Sequence, residues 1–267
     1  MAEPDETPVG VEADRPSIAR VYDFLLGGHH NYAADRELAR RILQAEPNAR
    51  HVVAENREFL GRAVNFMIQA GVSQFIDLGS GIPTQENVHE IAQRGNPESR
   101  IVYVDNDASV FAHSRHLLRG NPLAAVINAD MRKPTAILAH PEVRRLIDFS
   151  QPVGLLMITV LHFVPDSQDA YGIMASYTQA LAPGSYLAVS HATSDPLPDT
   201  AKKVEELSKN SATTAYIRTA EEIGRFFTGY ELVEPGLVYM PLWRQDGQVP
   251  DHPEQTWLYA GVGQKLS

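Results

Sequence analysis

Apolar residues fall at helical spacing in the first quarter of the chain and at strand spacing after it. Ile18, Val21, Tyr22, Leu25 and Leu26 share one helical face, opened by Asp14-Arg15-Pro16 and closed by Gly27-Gly28. A second helix is predicted over roughly 33–45. A third is predicted over roughly 49–70, capped by Asn48, stopped by Gly71 and striped by Val52, Phe59, Ala63, Phe66 and Met67. Short apolar runs then begin: Phe75–Leu78, Arg100–Asp105, Ala124–Asn128, Pro152–Val160 and Ser185–Ser190. Helical segments separate them: Thr84 through Ala92, 108–118 behind Asp107, 135–147 with a break at His140-Pro141, and Asp166 or Ser167 through Leu181. This alternation predicts an α/β fold with a parallel sheet, the run 152–160 being a central strand. Residues 198–212 read as a polar amphipathic helix, and Thr219-Ala220-Glu221-Glu222 as a capping box opening a short helix to about Phe227. Tyr230–Met240 and Thr256–Val262 have strand composition and no crossover helix between them, so they should pair antiparallel. The expected architecture is Rossmann-like: five parallel strands plus a C-terminal antiparallel hairpin. The expected divisions are an acidic, disordered tail at 1–13, an N-terminal helical cap at 14–71 and a sheet domain at 72–267. A parallel sheet closes without the leading helices, so they are expected to lie over its carboxyl edge, where ligands bind.

Composition narrows the chemistry. The 267 residues carry a formal net charge of -10, which disfavours a general binder of nucleic-acid backbone. The absence of cysteine excludes disulfides, thiolate metal sites and cysteine nucleophiles. No apolar run reaches the ~20 residues of a membrane span. The opening residues carry acids and prolines where a signal peptide needs basic and then apolar residues, so a cytoplasmic location is expected. His113 and His116, three apart on a helix with no third ligand nearby, read as a surface pair and not a metal site.

The organising stretch is Phe75-Ile76-Asp77-Leu78-Gly79-Ser80-Gly81, a buried strand ending in an acid and a glycine turn. Such a strand–glycine–helix unit opens a nucleotide-binding sheet. The third glycine of the dinucleotide fingerprint is replaced by Thr84, which counts against a pyrophosphate ligand. A carboxylate at Asp77 instead suits a cofactor carrying an ammonium, such as S-adenosylmethionine (SAM). Asp105 ends the second strand 26 residues after Gly79, near the ~20 typical of a ribose-binding acid. Asp130 ends the third and could take an adenine amine, with Met131 against the ring.

These residues, with Val160-Leu161-His162-Phe163-Val164-Pro165-Asp166 and Leu181-Ala182-Pro183-Gly184-Ser185, resemble in order the motifs of class I SAM-dependent methyltransferases. The stretch Pro16-Ser17-Ile18-Ala19-Arg20-Val21-Tyr22-Asp23-Phe24-Leu25-Leu26-Gly27-Gly28-His29-His30-Asn31-Tyr32 further resembles a bacterial S-adenosyl methyltransferase family. The resemblance implies SAM as cofactor, faced by Asp77, Gly79, Ser80, Gly81, Asp105, Asn106, Asp130, Met131 and Thr159. It implies a methyl-transfer site beside the segment beginning at His162. That segment lacks the Asn/Asp-Pro-Pro-Tyr-type motif of amide-methylating members, which fits methylation of an oxygen or nitrogen of a small molecule and not of DNA. His29, His30, His162 and His191 are candidate bases, since histidine titrates near ~6.5. Tyr22, Tyr32, Asn56, Arg57 and Phe163 are candidates for the substrate side, with Tyr216 and Arg218 weaker and Arg218 read as structural. The loop after Gly28 is the expected lid. Two other readings are a SAM-binding sensor or partner protein without transfer activity, and an NAD-dependent oxidoreductase; Thr84 and the terminal hairpin count against the second.

Overall fold

A computed structural model describes residues 10–83, 86–195, 214–245, 247 and 250–266. Most of the expected tail and the whole helix expected over 198–212 lie outside the described residues.

Three helices lead: α1 (Ile18–Leu25), α2 (Ala33–Ala45) and α3 (Ala49–Gln69). The parallel strands follow as β1 (Gln74–Leu78), β2 (Arg100–Asp105), β3 (Ala124–Asn128), β4 (Gly154–Ile158) and β5 (Tyr186–Ala192). Between them run α4 (Val88–Gly95), α5 (Ala108–Leu117), the short pair α6 (Pro134–Leu138) and α7 (Pro141–Leu146), and α8 (Ala170–Ala180). A short α9 (Ala220–Gly224) precedes β6 (Tyr230–Leu232), β7 (Val238–Tyr239) and β8 (Leu258–Lys265).

The strands form one sheet in the order β3-β2-β1-β4-β5-β8-β6, with β7 also paired to β8. β3 through β5 are parallel and β8 is antiparallel to β5. Chain order reverses between β1 and β4, the switch point at which such sheets bind ligands. The expected hairpin is more elaborate than two strands. Gly236, at φ +91, turns the chain in mid-run and splits 230–240 into two short strands, both of which pair with β8.

Apolar side chains from α6, α7 and α8, including Ile137, Leu146 and Tyr177, bury one face of the sheet. Phe59, Leu60, Ala63 and Met67 of α3, with Ile91 of α4 and Trp243, bury the other. α3 is therefore largely a sheet-packing helix. α1 and α2 form a small separate core of Val21, Leu25 and Ala39, closed by Val53 of α3. Two local expectations shift. α4 begins at Val88 and not near Thr84, because Asn87 and Glu90 form a capping box in which the Asn87 N–H donates to Glu90 at 2.7 Å. α8 begins behind Asp169, whose carboxylate accepts from Gly172 N at 3.0 Å, after a 3-10 turn over Asp166–Gln168.

Candidate functional site

The carboxyl ends of β1 to β4 open on a cleft of about 560 Å³. Its floor is Asp77, the loop Gly79-Ser80-Gly81, Asp105-Asn106-Asp107, Asp130-Met131 and Thr159; Asn56 and Arg57 of α3 form a wall. The roof is the segment from Gly10 to Glu12, Arg15 to Arg20, and Tyr22. Residues 10–12, expected in a disordered tail, are thus part of the cleft.

Glycine is required in the loop for two different reasons. At Gly79, φ is +70 and a Cβ would stand 2.2 Å from Val160 Cγ2, so backbone crosses here at a separation no side chain allows. At Gly81, φ is +66 but nothing lies within 4 Å of a Cβ; the conformation demands glycine and the space stays open. The Gly81 N–H donates to Asp105 Oδ2 at 2.9 Å, fixing the loop against β2.

Three acids face the cleft from three strand ends. Asp77 is 5% exposed, and among the described residues its carboxylate accepts no hydrogen bond. Burial pushes its pKa up to about 7, the charge of Arg57 opposing and that of Asp105 adding. Asp105 is raised by burial to about 6, against the lowering effect of N–H groups from Asp107 and Gly81. Asp130 is different: partial burial pushes it up, but Arg132 outweighs this and holds it below the usual range, its guanidinium forking both oxygens at 2.8 Å. Any amine meeting Asp130 must share it with Arg132. Met131 lies beside it, buried.

At the β4 end a fixed chain of hydrogen bonds ties four elements together. Asn56 Nδ2 donates to Tyr22 Oη at 2.9 Å and to Thr159 Oγ1 at 3.2 Å. Ser190 Oγ donates to Asn56 Oδ1 at 2.7 Å and accepts from Thr159 N at 3.0 Å. The Tyr22 hydroxyl donates to the Val53 carbonyl at 3.1 Å. Thr159 sits at φ +50, a conformation a β-branched residue adopts only under constraint.

The roof is latched to the start of α5, beyond the end of β2. Ser17 Oγ hydrogen-bonds Asp107 Oδ2, the N-cap of α5. Arg20 is buried, pairs with Asp35 at 2.8 Å and donates to Ser109 Oγ at 2.9 Å. Asp35, wholly buried, also accepts the backbone N–H groups of Ser17 and Tyr32, both at 2.8 Å. Ser17, Arg20, Asp35 and Ser190 were absent from the sequence-based candidates. The signal for the first two was their place in the N-terminal motif.

None of the four candidate histidines lines the cleft among the described residues. His29 and His30 are exposed on the loop after α1, and the His30 ring lies tilted against that of His113, centroids 4.0 Å apart. That loop is held off the cleft by Asp23, which accepts from His30 N and Asn31 Nδ2 at 2.9 Å; it is not the roof. His162 and His191 are buried behind the 160–164 segment, their rings 5.5 Å apart. Burial, then Arg218, lowers His162 to about 4; burial, then His162, holds His191 well below its ordinary value. Arg218 acts structurally, donating to His191 Nε2 at 2.9 Å and to the carbonyls of Leu161 and Val164. Tyr32 also leaves the site: its backbone caps α2 and its ring lies under Arg20. Tyr22, Asn56, Arg57 and Phe163 do line the cleft.

Comparison with known proteins bears on the family and the fold. The profile of a family described as S-adenosyl methyltransferase matches residues 4–266. A crystal structure from Thermobifida fusca YX, of a protein assigned as a methyltransferase, is 44% identical with a TM-score of 0.91 over 97% of this chain and 98% of its own. A DUF574 family protein from Streptomyces avermitilis MA-4680 is 39% identical, with a TM-score of 0.91 over 95% of this chain and 98% of its own. The N-methyltransferase NodS from Bradyrhizobium japonicum WM9, solved with S-adenosylhomocysteine (SAH), is 12% identical with a TM-score of 0.51, over 93% of this chain and all of its own; it shares the fold. No curated protein matches the chain.

Proposed function

The chain belongs to the S-adenosyl methyltransferase family, and from that premise we propose that it moves the SAM methyl group to an oxygen or nitrogen of a small molecule held at the β4 end of the cleft. The carrying observation is Asp77: a buried carboxyl with no hydrogen bond among the described residues, beside a loop whose glycines leave backbone and open space at the switch point. That is an acid awaiting a cation. In this reading Asp77 receives the ammonium of the methionine part and Asp105 accepts from the ribose hydroxyls. Met131 lies against adenine, and Asp130 is shared between the adenine amine and Arg132. SAM supplies a methyl group already activated on a positive sulfur. The chain's part is then to position, to exclude water and to hold the acceptor in line.

Thermal-shift titration with SAM, SAH and NAD tests this. A ligand at ~100 times its Kd stabilises by about 2.7 kcal/mol. Both adenosyl ligands are expected to shift the transition, NAD is not, and Asp105→Ala is expected to abolish the shift. A response to NAD alone would overturn the reading. One observation favours a second reading, a SAM-binding protein without transfer: all four histidines stand off the cleft lining. SAH binding without turnover of any acceptor would select it. We place the reaction in the bacterial cytoplasm; the relatives from Thermobifida and Streptomyces support the bacterial part of that reading.

A further inference from the structure

The hydrogen-bond chain at the β4 end has a direction, and counting its protons tells what it can recognise. An amide nitrogen only donates, so Asn56 Nδ2 spends one proton on Tyr22 Oη and one on Thr159 Oγ1. The Asn56 carbonyl is taken by Ser190. The Tyr22 proton goes to Val53 O. Thr159 Oγ1 therefore enters the chain as an acceptor, and its own proton has no partner among the described residues. It is the one uncommitted donor of the four, on a threonine kept at φ +50 in the cleft. Apolar side chains share the cleft lining with it, namely Ile18, Leu60, Ile158, Val160 and Phe163, beside the polar Tyr22, Asn56 and Arg57.

Sheet order places this donor. With Asp130 just beyond β3, Asp105 at the end of β2 and Asp77 on β1, the cofactor runs along β3-β2-β1, and β4 is the next strand. Thr159, one residue beyond β4 and counted in the sequence among the cofactor-facing residues, is reassigned in this reading to the acceptor side of that path. Among the described residues no histidine stands there, Tyr22 has given its proton to a carbonyl and the Asn56 nitrogen has spent both of its own. The nucleophile must therefore carry its lone pair at neutral pH unaided.

Resting on the methyltransferase reading above, we propose that the acceptor is a carboxylate on an apolar body and the product its methyl ester, with Thr159 the donor that recognises it. A carboxylate is ionised at neutral pH and has two oxygens. One accepts from Thr159 Oγ–H; the other attacks. The new bond joins carboxylate oxygen to methyl carbon. The bond from that carbon to sulfur breaks with its electron pair left on sulfur, giving a neutral thioether. No proton moves. Asn56 is a positioning residue that aims the Thr159 hydroxyl.

The test uses the full chain with methyl-tritiated SAM and phenylacetate, 3-phenylpropionate and octanoate, against phenylacetamide, phenol and benzylamine. Methyl esters release volatile tritiated methanol in alkali, which amides, ethers and methylamines do not. Alkali-labile label is expected from the carboxylates. Thr159→Val should cut their kcat/KM at least tenfold with the SAH Kd unchanged, and Thr159→Ser should recover most of it. Asn56→Leu should lower kcat more than it raises KM. Transfer to phenol or benzylamine but not to carboxylates overturns the inference and leaves the methyltransferase reading standing. So do carboxylates that give no label and leave the NMR spectrum of the SAH complex unmoved. Absence of SAH binding removes the methyltransferase reading itself.

Discussion

Asp77 carries the clearest pH signature. Its folded pKa, about 7, lies above its ordinary value of 3.8. A raised acid contributes stability that is full below the unfolded pKa and is lost as pH rises through the folded one. The ligand-free protein should therefore lose this contribution between about pH 4 and 7. Asp77→Asn should match the wild type in thermal unfolding at pH 4 and exceed it at pH 8. With saturating SAH the order at pH 8 should reverse, because the ammonium then has its carboxylate only in the wild type. The wild-type Kd for SAH should tighten from pH 5.5 to pH 8, and the variant's should tighten less, by the part that Asp105, raised to about 6, still contributes; calorimetry reads both. At Gly79 a side chain meets two obstacles together, the positive φ and the Val160 methyl. Gly79→Ala is expected to cost about 1–3 kcal/mol in denaturant unfolding, as overpacking and a strained backbone do, and to abolish SAH binding.

Among the elements, α1 matters most to the site, because it is both roof and latch. Its hold on α2 and α5 runs through the Arg20–Asp35 pair, whose side chains are 4% and 0% exposed. Removing one partner of such a pair leaves a buried charge uncompensated, worth about 3–5 kcal/mol. Asp35→Ala is expected to lose stability on that scale in urea titrations and to weaken SAH binding, though Asp35 touches no part of the cleft floor. Elements whose determinants are local were legible in the sequence: α2, β2 and β3 fall where periodicity put them, and Asp107 caps α5 as read. The late start of α4 was legible too, in the Asn87–Glu90 spacing. The histidines show that residue type says what a side chain can do and not where it points. Successive residues in a strand face opposite sides. In β5, Ser190 turns to Asn56 and the cleft wall, and His191 turns to the other face against Phe226. Extending β5 to Ala192 in the sequence would have shown that parity. Asp35 gave no such sign, since an acid early in a helix reads as a solvated cap until a buried arginine is found beside it.

Across the whole molecule the two apolar layers on the sheet are large and the α1–α2 core is small. Local opening follows buried contact density. Hydrogen exchange should therefore find residues 18–45 less protected than β1, β4 and β5, and SAH should raise the protection of α1 most, by closing the cleft beneath it. The same large-scale view gives β8 a role in biosynthesis. It follows every other described element, yet lies inside the sheet, between β5 and β6, and also holds β7. Until it emerges from the ribosome, β5 presents a bare edge, and β6 and β7 have no strand to join. Pairings this distant along the chain form slowly, and open edges recruit other chains. A nascent chain stalled before Leu258 should be cleaved by protease and engaged by chaperones. One stalled far enough beyond Lys265 to clear the exit tunnel should resist both.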